Sequence, residues 1–287
     1  MTRVLPAIVL PASGDLLPHS PWRAELSLRF RADPQRTWLA HRQHHGPLVV
    51  QRPFYPEGGV CHVYLLHPPG GIVGGDELKL IAEAGTDSRV LITTPAATRF
   101  YRAGPHPHAQ LHQQLTVADA QLEWLPQETI LFDGAAAICR TDVSLTQHSK
   151  FIGWEMFCLG RPVCGERFTQ GLLRQDLRLS VDGAPLLVDR LRLSGSAQSL
   201  DAPWGLGGAT AFGTLLAYPA QQKDVDLLRD FVSPTVRCTV TLVDRVLHCR
   251  ALADQGEPLR QHFTLLWAAL RPRLLQRDAV TPRIWAT

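Results

Sequence analysis

The sequence predicts a mainly β fold, and three observations support this prediction. Apolar and polar residues alternate with period two over residues 23–31, which places the alanine, both leucines and the phenylalanine of that run on one face. Residues 108–117 alternate in a similar way. Two further alternating runs, 172–181 and 186–193, are separated by an Asp-Gly pair at 182–183, and this pair between two such runs strongly indicates a β-hairpin.

The remaining elements follow from shorter patterns. Further strands are predicted at 47–54, 60–67, 78–84, 88–95, 120–125, 137–146, 150–159, 235–243 and 245–252. An amphipathic helix is predicted over 257–270, where apolar residues recur every three or four positions. Pro258 falls in its first turn, where proline is tolerated, and Pro272 is expected to end or kink it. A second, short helix is predicted over 223–231.

We expect one domain over residues 1–287. The loop at 197–211, rich in glycine and small residues, is the only candidate for an internal boundary, but strands on both sides can share one core. Residues 1–22 are expected to form a flexible lead-in or an edge strand. A short apolar run there resembles a signal peptide, but Pro6 and Pro11 interrupt it, which disfavours export.

Composition excludes several classes of protein. With 45% hydrophobic and 19% charged residues, the chain has globular values, and no apolar run approaches the ~18 residues of a transmembrane helix. The net charge of +3 is too balanced to indicate a nucleic-acid-binding protein. None of the six cysteines forms a C-x-x-C pair, which favours buried free thiols and a cytoplasmic location.

The sequence contains no motif for a tightly bound cofactor. A phosphate-binding P-loop needs a Gly-Lys dipeptide, which is absent, and no G-x-S-x-G nucleophile motif occurs. Residues 205–208 begin like a dinucleotide fingerprint, but Thr210 replaces its third glycine. His106 and His108 would bind one metal ion only if the adjacent proline-rich turn folds back. We favour surface histidines here, and also for the group at 41–45.

Four carboxylates lie beside glycine, proline or aromatic residues at predicted strand ends, where functional loops are common: Asp76, Glu128, Asp133 and Glu166. Solvated turn residues or backbone caps are the alternative interpretation for each. The sequence alone does not show whether the four converge, so it does not establish a paired general acid and base.

The segment HPPGGIVGGD predicts a loop of unusual conformation. Its Pro-Pro pair at 68–69 is rigid, and its glycines permit positive φ or a close approach of the backbone. Between the glycines, two apolar residues would form an exposed tip unless other residues pack on them. We interpret the loop as structural and partner-facing; its residues are Gly70, Gly71, Ile72, Val73, Gly74 and Gly75.

Five ordered segments carry a family resemblance. They are GPLVVQRPFYPEG (46–58), EGGVCHVYLLHPPGGIVGGD (57–76), TTPAATRFYR (93–102), LEWLPQETILFDGA (122–135) and GRPVCGERF (160–168). In this order they resemble the UreD urease accessory proteins, called UreH in some bacteria, from about residue 24 to the C-terminal helix.

The resemblance implies a mainly β fold with an open, β-helix-like stack of strands and about two short α-helices. It also implies a urease assembly scaffold without catalytic activity of its own. Such a scaffold binds UreF and, through UreF, the GTPase UreG, and it docks on the urease structural subunits. Nickel then passes in transit through the scaffold to the urease active site.

An ion passage needs oxygen ligands that replace hydration but bind weakly at each point. Asp76, Glu128, Asp133 and Glu166 match acidic positions of the family segments, so we expect them to line the passage. His106 and His108 lie outside those segments. The alternative function is a β-helical carbohydrate-active enzyme that uses two of these carboxylates as acid and base.

Overall fold

The computed structural model describes residues 21–286, so most of the predicted lead-in, residues 1–20, lies outside the described residues. The described chain is mainly β. Its strands are β1 (Arg23–Ala32), β2 (Thr37–His45), β3 (Val49–Val50), β4 (Cys61–Leu66), β5 (Glu77–Ala84), β6 (Arg89–Thr93), β7 (Thr98–Phe100), β8 (Ala109–Val117), β9 (Gln121–Leu125), β10 (Thr129–Leu131), β11 (Ala136–Leu145), β12 (Lys150–Arg161), β13 (Glu166–Arg167), β14 (Leu172–Val181), β15 (Ala184–Ser194), β16 (Ala211–Tyr218), β17 (Val236–Val243) and β18 (Val246–Ala253). The helices are α1 (Ala197–Asp201), α2 (Gln222–Arg229) and α3 (Gly256–Leu275).

The strands form two large sheets. The first has the order β15-β14-β11-β8-β5-β1-β2, and its five inner strands, from β14 to β1, run parallel to one another. The second has the order β17-β18-β16-β12-β9-β6-β4-β3, in which β12, β9, β6 and β4 are parallel and the other pairs are antiparallel. An antiparallel strand therefore flanks each end of both parallel stacks: β15 and β2 in the first sheet, and β16 and β3 in the second. Beyond β16, strands β18 and β17 extend the second sheet.

The chain builds the stack by alternating between the sheets. The pairs β5–β6, β8–β9 and β11–β12 each place one strand in the first sheet and the next strand in the second. A short third ladder joins β7, β10 and the end of β12, all parallel. Successive turns of chain thus lie on one another as in a β-solenoid, which confirms the predicted mainly β, stacked architecture.

The alternation seen in the sequence corresponds to burial. In β1, Ala24, Leu26, Leu28 and Phe30 face the core between the sheets and are almost fully buried. Strand β12 is buried over ten consecutive residues because helix α3 covers the outer face of the second sheet. A second hydrophobic cluster forms there, around Trp154, Phe263 and Trp267.

The predicted helices and hairpin are present. The β14–β15 hairpin turns at Asp182 and Gly183, whose φ angles of 48° and 80° are the left-handed values of a type I′ turn. Helix α3 is longer than predicted, because Pro272 does not end it. The backbone N–H of Gln276 donates to the Pro272 carbonyl, and burial of Leu274 and Leu275 stabilises the last turn.

Several strands were not predicted from the sequence. Strand β2, which contains the histidines at 41–45, is an edge strand with polar residues on both faces, so it lacks alternation. Strand β16 lacks alternation for the opposite reason: all eight of its residues are buried, between the core and helix α3. The predicted strand at 47–54 is reduced to two residues, β3. No helix among residues 21–286 is long and apolar enough to cross a membrane.

Candidate functional site

A cavity of about 420 Å³ lies between the two sheets. Apolar side chains from both sheets form most of its wall, including Leu80 and Leu111 on one side and Trp124 and Phe157 on the other. Exposed residues such as Gly70 and Ala96 also line it. The cavity therefore extends from surface loops into the interior.

The inner wall of this cavity carries one buried carboxyl group, that of Glu155 on β12. Gln175 Nε2 donates to Glu155 Oε2 over 2.7 Å, and Thr141 Oγ1 contacts Glu155 Oε1. Thr141 also lies 2.7 Å from Gln113 Oε1, and Gln113 lines the cavity as well. Strands β11 and β14 of the first sheet thus supply the partners of a carboxyl from the second sheet, and β8 supplies a partner of Thr141.

The hydrogen-bond pattern around Glu155 accommodates a protonated carboxyl. The Thr141 hydroxyl carries one hydrogen, yet it lies within hydrogen-bond distance of two acceptors, Gln113 Oε1 and Glu155 Oε1. A protonated Glu155 removes this conflict, because it donates to Thr141 and leaves that hydroxyl free to donate to Gln113. Burial likewise raises the pKa of Glu155, and its hydrogen bonds offset this only in part.

A charged group that does not line the cavity also acts on Glu155. The charge of Asp189 on β15 adds to the rise in the pKa of Glu155. Asp189 lies 3.4 Å from His248 Nε2 and 3.4 Å from Arg250 Nη2, and these contacts hold its own pKa below the usual range. Glu155 therefore faces the cavity and is also influenced by an ionised carboxylate on β15.

The glycine loop forms part of the cavity mouth. Gly70 and Ile72 line the cavity, and Ile72 pairs with Phe100 in a β-bridge and is fully buried. Other residues therefore do pack on Ile72, because the third ladder covers it, and Ile72 does not form an exposed tip. A Cβ atom on Gly71 would lie 2.0 Å from the Tyr101 ring, which explains the need for glycine there. Whether the loop meets a partner stays a prediction.

Asp76 caps the glycine loop. Its buried carboxylate accepts hydrogen bonds from the backbone N–H groups of Trp22, at 2.8 Å, and Val73, at 3.0 Å. It also lies close enough to His67 to favour the protonated imidazole, although burial lowers the pKa of His67 overall. His67 lines the cavity, so the charge of Asp76 acts on a residue of the cavity wall.

Glu128 points away from the cavity. Its sequence neighbours Gln127 and Thr129 line the cavity, but its own side chain lies beside Cys158 and the first residue of α3, Gly256. Its Oε2 atom is buried and has no hydrogen-bond partner within residues 21–286.

Asp133 and Glu166 are the two predicted carboxylates that the fold brings together. The backbone N–H of Asp133 donates to Glu166 Oε1 over 3.2 Å, although 33 positions separate the residues. Asp133 accepts from the N–H groups of Thr169 and Gln170, and Arg161 donates to Glu166. These contacts hold the pKa values of both carboxyls below their usual range. Since a glycosidase acid needs a raised pKa, neither group is suited to that role.

The histidines at 106, 108 and 112 do not form a metal centre. His112 instead lies 2.8 Å from Asp142, which also accepts from Arg140. Among residues 21–286, no group of three or more histidine, cysteine, aspartate or glutamate side chains is placed to hold a metal ion.

None of the four predicted carboxylates lines the cavity, whereas Glu155, which does, was not predicted. A signal for Glu155 exists in the sequence: it is the only charged residue between Lys150 and Arg161, in an otherwise apolar strand. Carboxyls are rarely buried without a specific partner, so an isolated one in such a run indicates a buried polar site.

Comparisons with known proteins give a consistent result. The family model described as "UreD urease accessory protein" matches residues 23–286. The chain is similar to the urease accessory protein UreD of Citrobacter koseri, with 47% identity over 270 residues, covering 93% of this chain and 92% of the relative. The corresponding values are 46%, 93% and 97% for UreD of Klebsiella aerogenes, and 43%, 94% and 94% for UreD of Alkalilimnicola ehrlichii.

Proposed function

This chain belongs to the UreD urease accessory protein family, and we propose that it is a non-catalytic scaffold that delivers nickel to urease. In this proposal it works in the cytoplasm, binds UreF and, through UreF, the GTPase UreG, and docks on the urease structural subunits. The description of this family and its members as urease accessory proteins supports a role in urease assembly. Nickel is the cargo, in transit, and no resident cofactor is required.

The cavity between the sheets is the observation that carries the proposed passage. It connects exposed loop residues, Gly70 and Ala96, with the buried Glu155. Most of its wall is apolar, and oxygen groups are placed at intervals, such as those of Gln113 and Thr98. A wall of this kind replaces part of the hydration of a cation without trapping it.

Glu155 suits transit because its charge depends on what lies beside it. Without a cation, burial favours the neutral acid. A nearby divalent cation favours the carboxylate, so nickel must displace a proton before it binds. That exchange weakens the net affinity, and the proton returns when the ion leaves.

The four predicted carboxylates take different positions in this scheme. Asp76 is the best placed, since its charge acts on His67, which lines the cavity. Asp133 and Glu166 form an adjoining pair outside the cavity, where they would contribute to a first docking point for the hydrated ion. Glu128 faces the start of α3, so its contribution to the passage depends on movement of that helix end.

The proposal can be tested by co-expressing this chain with apo-urease, UreF and UreG, and measuring the nickel content of purified urease. Ala97→Trp would narrow the cavity, and Glu155→Leu would remove its carboxyl. Val188→Trp is the matched control, because Val188 is exposed on β15 and does not line the cavity. We expect both cavity variants to lower nickel content at least tenfold while the control retains it.

Co-purification separates the two parts of the proposal. The cavity variants should still co-purify with UreF, which would place the defect in transit. Full nickel loading by correctly folded Ala97→Trp and Glu155→Leu would reject the passage through this cavity. If the wild-type chain neither bound UreF nor affected nickel loading, the scaffold function itself would be wrong.

A further inference from the structure

Two cysteines at the far edge of the second sheet lie in contact. Cys238 on β17 and Cys249 on β18 have their Sγ atoms 3.2 Å apart. In the antiparallel register, Cys249 pairs with Val240 and Cys238 pairs with Ala251, so the thiols are diagonal neighbours on one face of the sheet. This pair is remote from the cavity, and nothing in the proposed function uses it.

The two thiols differ in access to solvent. Cys249 is fully buried in the hydrophobic cluster under α3. Cys238 is partly exposed and lines a surface depression between α2 and β17, beside Arg229 and Ser233. A small soluble reagent therefore reaches Cys238 more readily than it reaches Cys249.

The surroundings also make the two thiols chemically unequal. The Cys249 thiol stabilises the Cys238 thiolate by a hydrogen bond, and His262 on α3 adds to the effect, so the pKa of Cys238 falls below that of an ordinary thiol. The same contact and burial raise the pKa of Cys249. Elsewhere, burial raises the pKa of Cys61 to about 11 and that of Cys158 to about 12, as expected for inert thiols.

We propose that Cys238 and Cys249 form a redox-active dithiol that a peroxide converts reversibly into an intramolecular disulfide. The Cys238 thiolate attacks one peroxide oxygen, the O–O bond breaks, and hydroxide leaves, which gives the sulfenic acid at Cys238. The Cys249 sulfur then displaces water and forms the S–S bond. In sum, two thiols and hydrogen peroxide give one disulfide and two waters, and two equivalents of a small thiol such as glutathione reverse the oxidation.

The disulfide would fasten the outermost strand of the second sheet. Among residues 21–286, strand β17 pairs along one edge, with β18, and Arg229 of α2 donates to its Val240 carbonyl. A covalent link to β18 opposes fraying of this edge and fixes the strand on which α2 rests. Oxidation should therefore make this part of the protein more rigid without changing the cavity.

The full-length purified chain can be tested directly. It is reduced, freed of metal and reductant, treated with a few equivalents of hydrogen peroxide, alkylated in denaturant and analysed by peptide mass spectrometry. We expect a Cys238–Cys249 cross-linked peptide lighter by two hydrogen atoms, lost again with glutathione. We also expect the melting temperature to rise by a few degrees on oxidation.

Variants and pH separate this proposal from simple thiol oxidation. Cys164→Ser serves as the background, because Cys164 is exposed and would otherwise form links between molecules. In that background, Cys249→Ala should accumulate sulfenic acid at Cys238 and lose the rise in melting temperature. Alkylation of Cys238 in the wild-type chain should reach half its maximal rate at a lower pH than alkylation of an ordinary thiol, for which the midpoint is about 8.5.

Two results would overturn the proposal. One is that Cys238 and Cys249 of the wild-type chain both remain reduced after peroxide has oxidised Cys164. The other is stoichiometric zinc, measured by plasma mass spectrometry on the chain as isolated, which disappears in Cys238→Ser and Cys249→Ala; this would identify the pair as part of a metal site.

Discussion

Arg271, on the C-terminal helix, donates two hydrogen bonds to Glu123 on β9, from Nε over 2.9 Å and from Nη2 over 3.0 Å. Both side chains are fully buried, and 148 residues separate them. Arg271 also pairs with Glu57, which contacts His62. These contacts raise the pKa of Arg271 and lower that of Glu57. One guanidinium thus attaches helix α3 to the parallel stack and pairs with two buried carboxylates.

Replacing this arginine should strongly destabilise the protein. Arg271→Met keeps most of the side-chain volume but leaves the carboxylates of Glu57 and Glu123 buried without their cation. We expect a loss of about 3–5 kcal/mol in the free energy of unfolding, because a buried charge left unpaired is costly. Urea denaturation followed by circular dichroism measures this value.

An exposed ion pair provides the control for that experiment. Arg29→Met removes a contact with Glu83 in which both side chains are largely exposed, so the loss should stay below about 1 kcal/mol. Equal effects of the two replacements would contradict the role assigned to Arg271. A combined Glu123→Gln/Arg271→Met variant should recover part of the stability, since it removes one unpaired charge.

Glu155 should make stability fall as pH rises. Its pKa is raised in the folded state, so above the unfolded value of about 4.3 the folded chain retains a proton that the unfolded chain loses. Stability then decreases by up to about 1.4 kcal/mol per pH unit until the folded pKa is reached. Denaturation curves of the wild type and Glu155→Gln between pH 4 and pH 8 test this prediction. The stability of the variant should not show this decrease with rising pH. Parallel pH profiles would show that Glu155 is ionised in the fold.

Gly71→Ala should destabilise the glycine loop through a steric clash. The added Cβ would lie 2.0 Å from the ring of Tyr101, which also packs edge-on against Phe132. Either the ring or the loop must move, and we expect a loss of about 1–3 kcal/mol in the free energy of unfolding. In a double-mutant cycle, Gly71→Ala should cost much less when Tyr101 is already replaced by alanine. Additive losses would show that the ring is not the obstacle.

Asp133→Ala should loosen the turn that follows β13. Thr169 and Gln170 would lose the acceptor of their backbone N–H groups, at a cost of about 1–2 kcal/mol. Faster hydrogen exchange at these two amides is the specific signature, measured by mass spectrometry on peptic fragments. Asp201→Ala, which removes only an exposed contact with Arg167, is the control and should leave exchange at these two amides unchanged.

Much of the local structure was predictable from the sequence. Alternation identified β1, β8 and the β14–β15 hairpin, because a strand with one buried face repeats every two residues whatever surrounds it. The same rule explains the failures: edge strand β2 is polar on both faces and β16 is apolar on both, so neither carries a period. The family resemblance supplied the stacked architecture, which local patterns do not encode.

The candidate site was decided by the tertiary structure. The sequence by itself determined where strands turn, which faces are apolar and to which family the chain belongs, since these depend on neighbouring residues and on ordered motifs. It did not determine that Asp133 meets Glu166, that Cys238 meets Cys249, or that Glu155 faces a cavity. Such contacts depend on the register in which distant strands stack, and that register is set by the packing of the whole core.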